Sequence, residues 1–113
     1  MLTNSQNELI KEISKTPQGS IQITYSALQN AIFNFVNFIL NSKKNNSYTL
    51  TSVEFIEFQH NTNFQVNVFL DLKSKVKLNF EIHKQIQKGV ISYLNNEFKI
   101  EALTINVICN MNN

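Results

Sequence analysis

Two histidines, a single cysteine and eight acidic residues are the side chains of this chain best suited to proton transfer, nucleophilic attack or metal binding. Their spacing assembles no reactive constellation. His60 falls in the polar run Gln59–Asn63. His83 falls in a helical stretch beside Glu81 and Lys84. Neither has a cysteine or second histidine at metal-ligand spacing, so both read as surface or boundary residues. Cys109 closes an alternating run. A catalytic thiol needs a helix N-terminus or a basic neighbour to lower its pKa, so this one reads as packed. Glu54 and Glu57 would face opposite sides of a strand and form no carboxylate pair. Asp71, among Lys73 and Lys75, reads as a surface charge. The glycines, Gly19 and Gly89, are isolated, so no phosphate-cradling loop exists. No catalytic residue, metal or cofactor is implied, and a non-enzymatic role is expected.

The elements that would position any site are clearest between Phe64 and Cys109. Phe64, Val66, Val68, Leu70 and Leu72 occupy every second position, as do Leu103, Ile105, Val107 and Cys109. Successive side chains of a strand point to opposite faces, so each run predicts a strand with one buried face. Between them Ile82, Ile86, Val90, Tyr93 and Leu94 recur at helical spacing, with Asn79 as cap and Glu81 in the first turn. That helix runs to about Asn96, and Gly89 is a weak point within it. The preceding strand is extended through Lys73–Lys77 in this reading.

Earlier in the chain, Leu9, Ile10 and Ile13 share a stripe, and Glu8–Lys11 and Glu12–Lys15 are i,i+3 pairs. They predict a short additional helix over residues 3–15. Thr16-Pro17-Gln18-Gly19 marks a turn. Ile21 and Ile23 flank Gln22 in a short strand. Thr24 or Ser26 then caps a helix to about Asn41, with Leu28, Ala31, Ile32, Phe35, Val36 and Ile39 as its buried stripe. Phe33, Phe38 and Leu40 lie off that stripe. Tyr48–Phe58 reads as a strand whose imperfect alternation suggests a bulge, and Gln59–Asn63 as the turn of a hairpin. The order β-α-β-β-α-β predicts an α+β split-βαβ two-layer sandwich, with both helices on one face of a four-stranded sheet. Residues 1–18 form an N-terminal helix and turn, 19–109 the domain, and 110–113 a frayed tail.

Size and charge narrow the function classes. A chain of 113 residues can bury a core without disulfides or metal, and one cysteine fits a reducing compartment. The abundant Asn, Ile, Lys and Phe have AT-rich codons and are read as base-composition bias. A net charge of +2 without arginine is too mild to mark a nucleic-acid binder. The polar N-terminus carries Glu8 and Glu12, unlike a signal peptide. Ala27–Leu40 is interrupted by Gln29, Asn30, Asn34 and Asn37 and is shorter than the ~20 residues of a membrane span. A cytoplasmic protein is expected, with any membrane association indirect, through a partner.

Two surfaces stand out. Phe69 and Ile108 fall on the outward face of their strands and, with Phe58, form a candidate partner interface. Phe33 and Phe38 form a second candidate. Lys73, Lys75 and Lys77 would line one face of an extended strand. Because this element order is also that of the RNA-recognition motif, they are the nucleic-acid contacts of an alternative RNA-binding reading. The Gly/aromatic consensus of that motif and a GXXG clamp are both missing, and the lysines read more simply as protection of a sheet edge.

The stretch from Gly19 to Cys109 resembles the alkaline shock protein family of Gram-positive and related bacteria. The likeness lies in Gly19-Ser20-Ile21-Gln22-Ile23-Thr24, in Val66-Asn67-Val68-Phe69-Leu70-Asp71-Leu72, in Gln87, Val90 and Leu94, and in the closing Ile105-Asn106-Val107-Ile108-Cys109. The chain departs from it before the second helix, where Val76-Lys77-Leu78-Asn79 replaces the family's Tyr-Gly. It departs again after that helix, where Phe98-Lys99 replaces a glycine. The resemblance implies a non-enzymatic envelope stress-response protein acting through self-association or a membrane-linked partner. It also admits an accessory or regulatory subunit in lipid metabolism. It supplies no catalytic or cofactor-binding residues and no small-molecule substrate.

Overall fold

Thr24 ends one strand and begins a helix with no linker between them, and that junction sets the layout of the first half. The computed structural model describes residues 10–43, 47–57, 64–73, 75–101 and 103–111. The elements are strand β1 (Ile10–Thr16), strand β2 (Gly19–Thr24), helix α1 (Tyr25–Ser42), strand β3 (Tyr48–Glu57), strand β4 (Phe64–Leu72), helix α2 (Phe80–Phe98) and strand β5 (Leu103–Met111). The class is α+β, with one two-stranded sheet and one three-stranded sheet.

The expected four-stranded split-βαβ sheet is not what these residues build. β2 pairs antiparallel with β1, closing a hairpin at Pro17-Gln18. β3 pairs antiparallel with β4, and β4 pairs directly and in parallel with β5, in the order β3-β4-β5. No strand lies between β4 and β5, so α2 is a plain crossover. A two-residue turn brings β1 beside β2 at a small loop-closure cost, which favours the local partner. Residues 10–16 are therefore strand, correcting the helix expected over 3–15; residues 3–9 of that expectation lie outside the described residues. The spacing of Ile10 and Ile13 suits a helix, but pairing with β2 overrides so weak a local preference. Gly19, at φ +136°, supplies the backbone conformation that the turn requires. Apart from the junction, the hairpin is tied at its base. Lys11 Nζ lies 3.9 Å from Glu57 Oε2 and 4.4 Å from the Phe64 ring centroid, and the Tyr25 hydroxyl donates to Glu57. Residues 15–22 are exposed throughout.

Both helices pack on one face of the three-stranded sheet. Leu28, Ile32, Val36 and Leu40 of α1 and Ile82, Ile86, Val90 and Leu94 of α2 are buried against Val53, Phe55, Val66, Val68, Leu70 and Leu72. Each helix thus buries a strict i,i+4 row. Leu40 belongs to it, although the wider stripe read from the sequence left this residue out. β3 reaches the same face in two halves. Its register shifts between Leu50 and Ser52, so Tyr48 and Leu50 before the shift and Val53 and Phe55 after it all point inward. The bulge expected in this strand is therefore present, at Thr51.

The helix ends obey their local chemistry. Thr24 Oγ1 accepts from Ala27 N–H at 3.1 Å, and Asn79 Oδ1 accepts from Glu81 and Ile82 N–H. At the end of α2, Lys99 is left-handed (φ 57°) and its N–H returns to Asn95 O at 3.1 Å, the bond of an αL cap, while the N–H of buried Ile100 reaches Leu94 O at 3.2 Å. Lys99→Gly is expected to raise stability by about 0.5–1 kcal/mol by removing the Cβ penalty. Urea denaturation of the two proteins checks this. Gly89 lies where a Cβ would come 2.9 Å from Ile39 Cδ1 and 3.3 Å from Phe35 Cε2, so the helices meet there without a side chain between them. Among the described residues, no helix is long and apolar enough to cross a membrane.

Candidate interaction surface

The sheet face turned away from the helices is built from the outward residues of all three strands. Register aligns them in rows: Ile56 with Gln65 and Thr104, Glu54 with Asn67 and Asn106, Ser52 with Phe69 and Ile108, Thr49 with Asp71 and Asn110. No described helix lies across this face.

Its second row is a hydrogen-bonded ladder. Asn67 Nδ2 donates to Glu54 Oε1 at 3.1 Å. Asn67 Oδ1 accepts from Asn106 Nδ2 and from Gln65 Nε2, each at 3.0 Å. Asn67 is only 8% exposed, the one buried polar residue among those described. A buried amide is tolerated because its oxygen and one of its N–H donors are engaged. Further along, Asn110 Nδ2 donates to Asp71 Oδ1 at 3.3 Å. Between these polar rows sit Phe69 and Ile108, opposite each other in register, the first half-buried and the second 42% exposed. Thr51 Oγ1 donates to Phe69 O at 2.9 Å, fixing the backbone that carries the ring. An apolar pair is thus held in a rigid polar frame.

The remaining candidates disperse. Phe58 and His60 lie outside the described residues. Phe33 is half-buried against the core, while Phe38 is 67% exposed on the helix layer, away from Phe69. Phe38 borders an open groove of about 430 Å³ with Phe35, Gly89, Tyr93 and Glu97. Phe35 and Tyr93 stack there at 4.4 Å between ring centroids. Burial, and then the charge of Glu97, push the Tyr93 hydroxyl pKa up.

Lys73, Lys75 and Lys77 do not form the aligned row that the RNA-binding alternative needs. β4 stops at Leu72, and Lys75 takes φ 66°, which an extended strand cannot hold. The alternation of lysines suggested a longer strand; instead, among the described residues, 73 and 75–79 belong to no strand. Cys109 is half-buried, and burial and then Asp71 raise its thiol pKa, the reverse of activation. No cluster that could hold a metal ion occurs among the described residues. Asn110 and Met111, expected to fray, belong to β5.

One arrangement gave no sequence signal. The Tyr48 hydroxyl accepts from Asn79 N–H at 2.9 Å and bonds His83 Nε2 at 2.8 Å, linking the start of α2 to the start of β3. His83 also meets the Tyr48 and Phe80 rings edge-on. Burial lowers its pKa from the ordinary 6.5. Acidification therefore protonates His83 in the unfolded chain before the folded one. Its contribution to stability is present above 6.5 and is lost as pH falls through the lowered folded value. His83→Gln is expected to flatten this part of the stability–pH profile, read as the difference between variant and parent midpoints from pH 7.5 to 5.

No protein-family model matches the chain, and no curated protein matches it either.

Proposed function

We propose that this protein is a non-enzymatic interaction module, of the envelope stress-response type that its motifs resemble, working through its open sheet face. The observation that carries this reading is the in-register pair Phe69–Ile108, apolar and framed by hydrogen-bonded polar rows, on a face that no described helix covers. Exposed apolar groups on a preorganised surface bind with little ordering cost, which suits a docking site. Gln87 and Ile105 belong to the residues on which the family resemblance rests, and Gln87 Nε2 donates to Ile105 O at 3.0 Å. That bond anchors α2 to β5 and holds the strand bearing Ile108. The partner is a second copy or a membrane-linked protein.

The test is sedimentation velocity over a wide concentration range for the parent and Phe69→Glu, with the proteins co-purifying from the native cell compared for both. Association, or one stoichiometric partner, is expected for the parent and lost in the variant. A parent that stays monomeric and brings down nothing that Phe69→Glu releases overturns the reading.

A further inference from the structure

The three-stranded sheet has two edges, and they are finished differently. Along β3, Gln29 of α1 takes the Phe55 N–H at 2.9 Å, the bulge at Thr51 interrupts the ladder, and Glu54 and Glu57 bring charge. Side-chain cover, bulges and charge are the devices that keep a sheet edge from pairing with another chain. β5 has little of this. Its nine residues include no charged residue, proline or glycine, and its register with β4 runs unbroken from Leu103 to Met111. Among the described residues it pairs with one strand only, and one helix side chain, Gln87, reaches its Ile105 carbonyl. Apolar side chains flank the edge on both sides. Ile108 and Met111 are 42% and 50% exposed, and Val107 and Cys109 are half-buried toward the helices.

Resting on the interaction-module reading, we propose that the partner is a second copy of this chain, the two β5 strands pairing antiparallel about a two-fold axis to join two three-stranded sheets into one. An isologous interface must complement itself, and an edge without charge meets its own copy with no like charges opposed. A two-fold perpendicular to the sheet keeps both helix layers on one side. Val107 and Cys109 then meet their counterparts under the helices, and Ile108 of each copy comes beside that of the other on the open face. Because β3 is blunted, the three-stranded sheet offers one open edge, and its extension through β5 closes at two copies.

The test places single cysteines at residues 104 to 108 of the full chain in a Cys109→Ser background, oxidised mildly and read on non-reducing gels. One position at the axis is expected to form a disulfide-linked dimer in high yield while its neighbours form little, because only there does a residue face itself within disulfide reach. Thr104→Lys/Met111→Lys is expected to weaken dimerisation at least about tenfold with unchanged circular dichroism, since lysine guards natural edges. Three outcomes overturn the proposal. Even or absent cross-linking along the strand is one. Association that survives the lysine pair but is lost in Phe69→Glu is another, and it leaves the sheet-face reading standing. The third is a monomer that dimerises only when residues 1–9 are removed, which assigns the edge to the chain's own N-terminal segment.

Discussion

Leu70→Ala is expected to lower the unfolding free energy by about 3–4 kcal/mol, within the range for large-to-small changes in well-packed cores. Leu70 is 1% exposed and pairs with Leu50 and Cys109 from the central strand β4, its side chain in the core that the sheet shares with the helices. A strand held by neighbours on both sides cannot shift to fill the space, so the lost transfer energy and the cavity add together. A domain of this size is typically stable by only about 5–15 kcal/mol, so the variant sits close to the unfolding threshold. Urea denaturation with an unchanged m-value and a lowered midpoint checks it. Phe69→Ala, one residue earlier and on the open face, is expected to cost no more than about 1 kcal/mol, because its ring is already partly in water. Equal effects at the two positions would mean that the open face is covered in solution.

Asn67→Asp is expected to destabilise the fold by about 2 kcal/mol near neutral pH, the scale of a buried polar group left without its partner. The present amide gives one proton to Glu54 and accepts two, from Gln65 and Asn106. A carboxylate keeps the two accepting contacts but cannot donate, and it sets a negative charge against Glu54. Asn67→Leu is expected to cost less, about 1 kcal/mol, because Glu54 is exposed and Gln65 and Asn106 half-exposed, so all can turn to water. Thermal melts of the two variants, with Glu54→Gln added to Asn67→Asp as a partial rescue, separate the charge from the missing proton. An aspartate variant as stable as the parent would show that the ladder is not formed in solution.

Sequence pattern served best where one physical signal acted alone. The alternation of Phe64–Leu72 and Leu103–Cys109 needed only a buried face, and both strands are there. The caps Thr24 and Asn79 needed only a side-chain oxygen ahead of an apolar period. Pattern misled where two signals competed. Ile10 and Ile13, with flanking charge pairs, suit a short helix, yet a strand partner one tight turn away decides the outcome. Lys73, Lys75 and Lys77 alternate like a strand, but nothing in alternation reveals that the backbone turns at Lys75. Strand neighbours were not legible at all: the order of elements is the same whether a strand intervenes between β4 and β5 or not. The apolar pair of the candidate surface was legible, because facing outward is a matter of parity. Its frame was not, since Glu54, Asn67 and Asn106 meet through registers between strands far apart in sequence. The Tyr48–His83 contact likewise spans 35 residues.

The bulge at Thr51 carries a consequence for insertions and deletions. Without Thr51 the strand would read Tyr48, Thr49, Leu50, Ser52, Val53, Glu54, Phe55, and every inward side chain would keep its parity. The core would therefore tolerate the loss, while β3 would become straight and continuous. One of the features that blunt this edge would be gone, while the Gln29 bond to the Phe55 N–H and the charges of Glu54 and Glu57 would remain. A single residue with no place in the core thus decides how far the edge strand departs from a straight one.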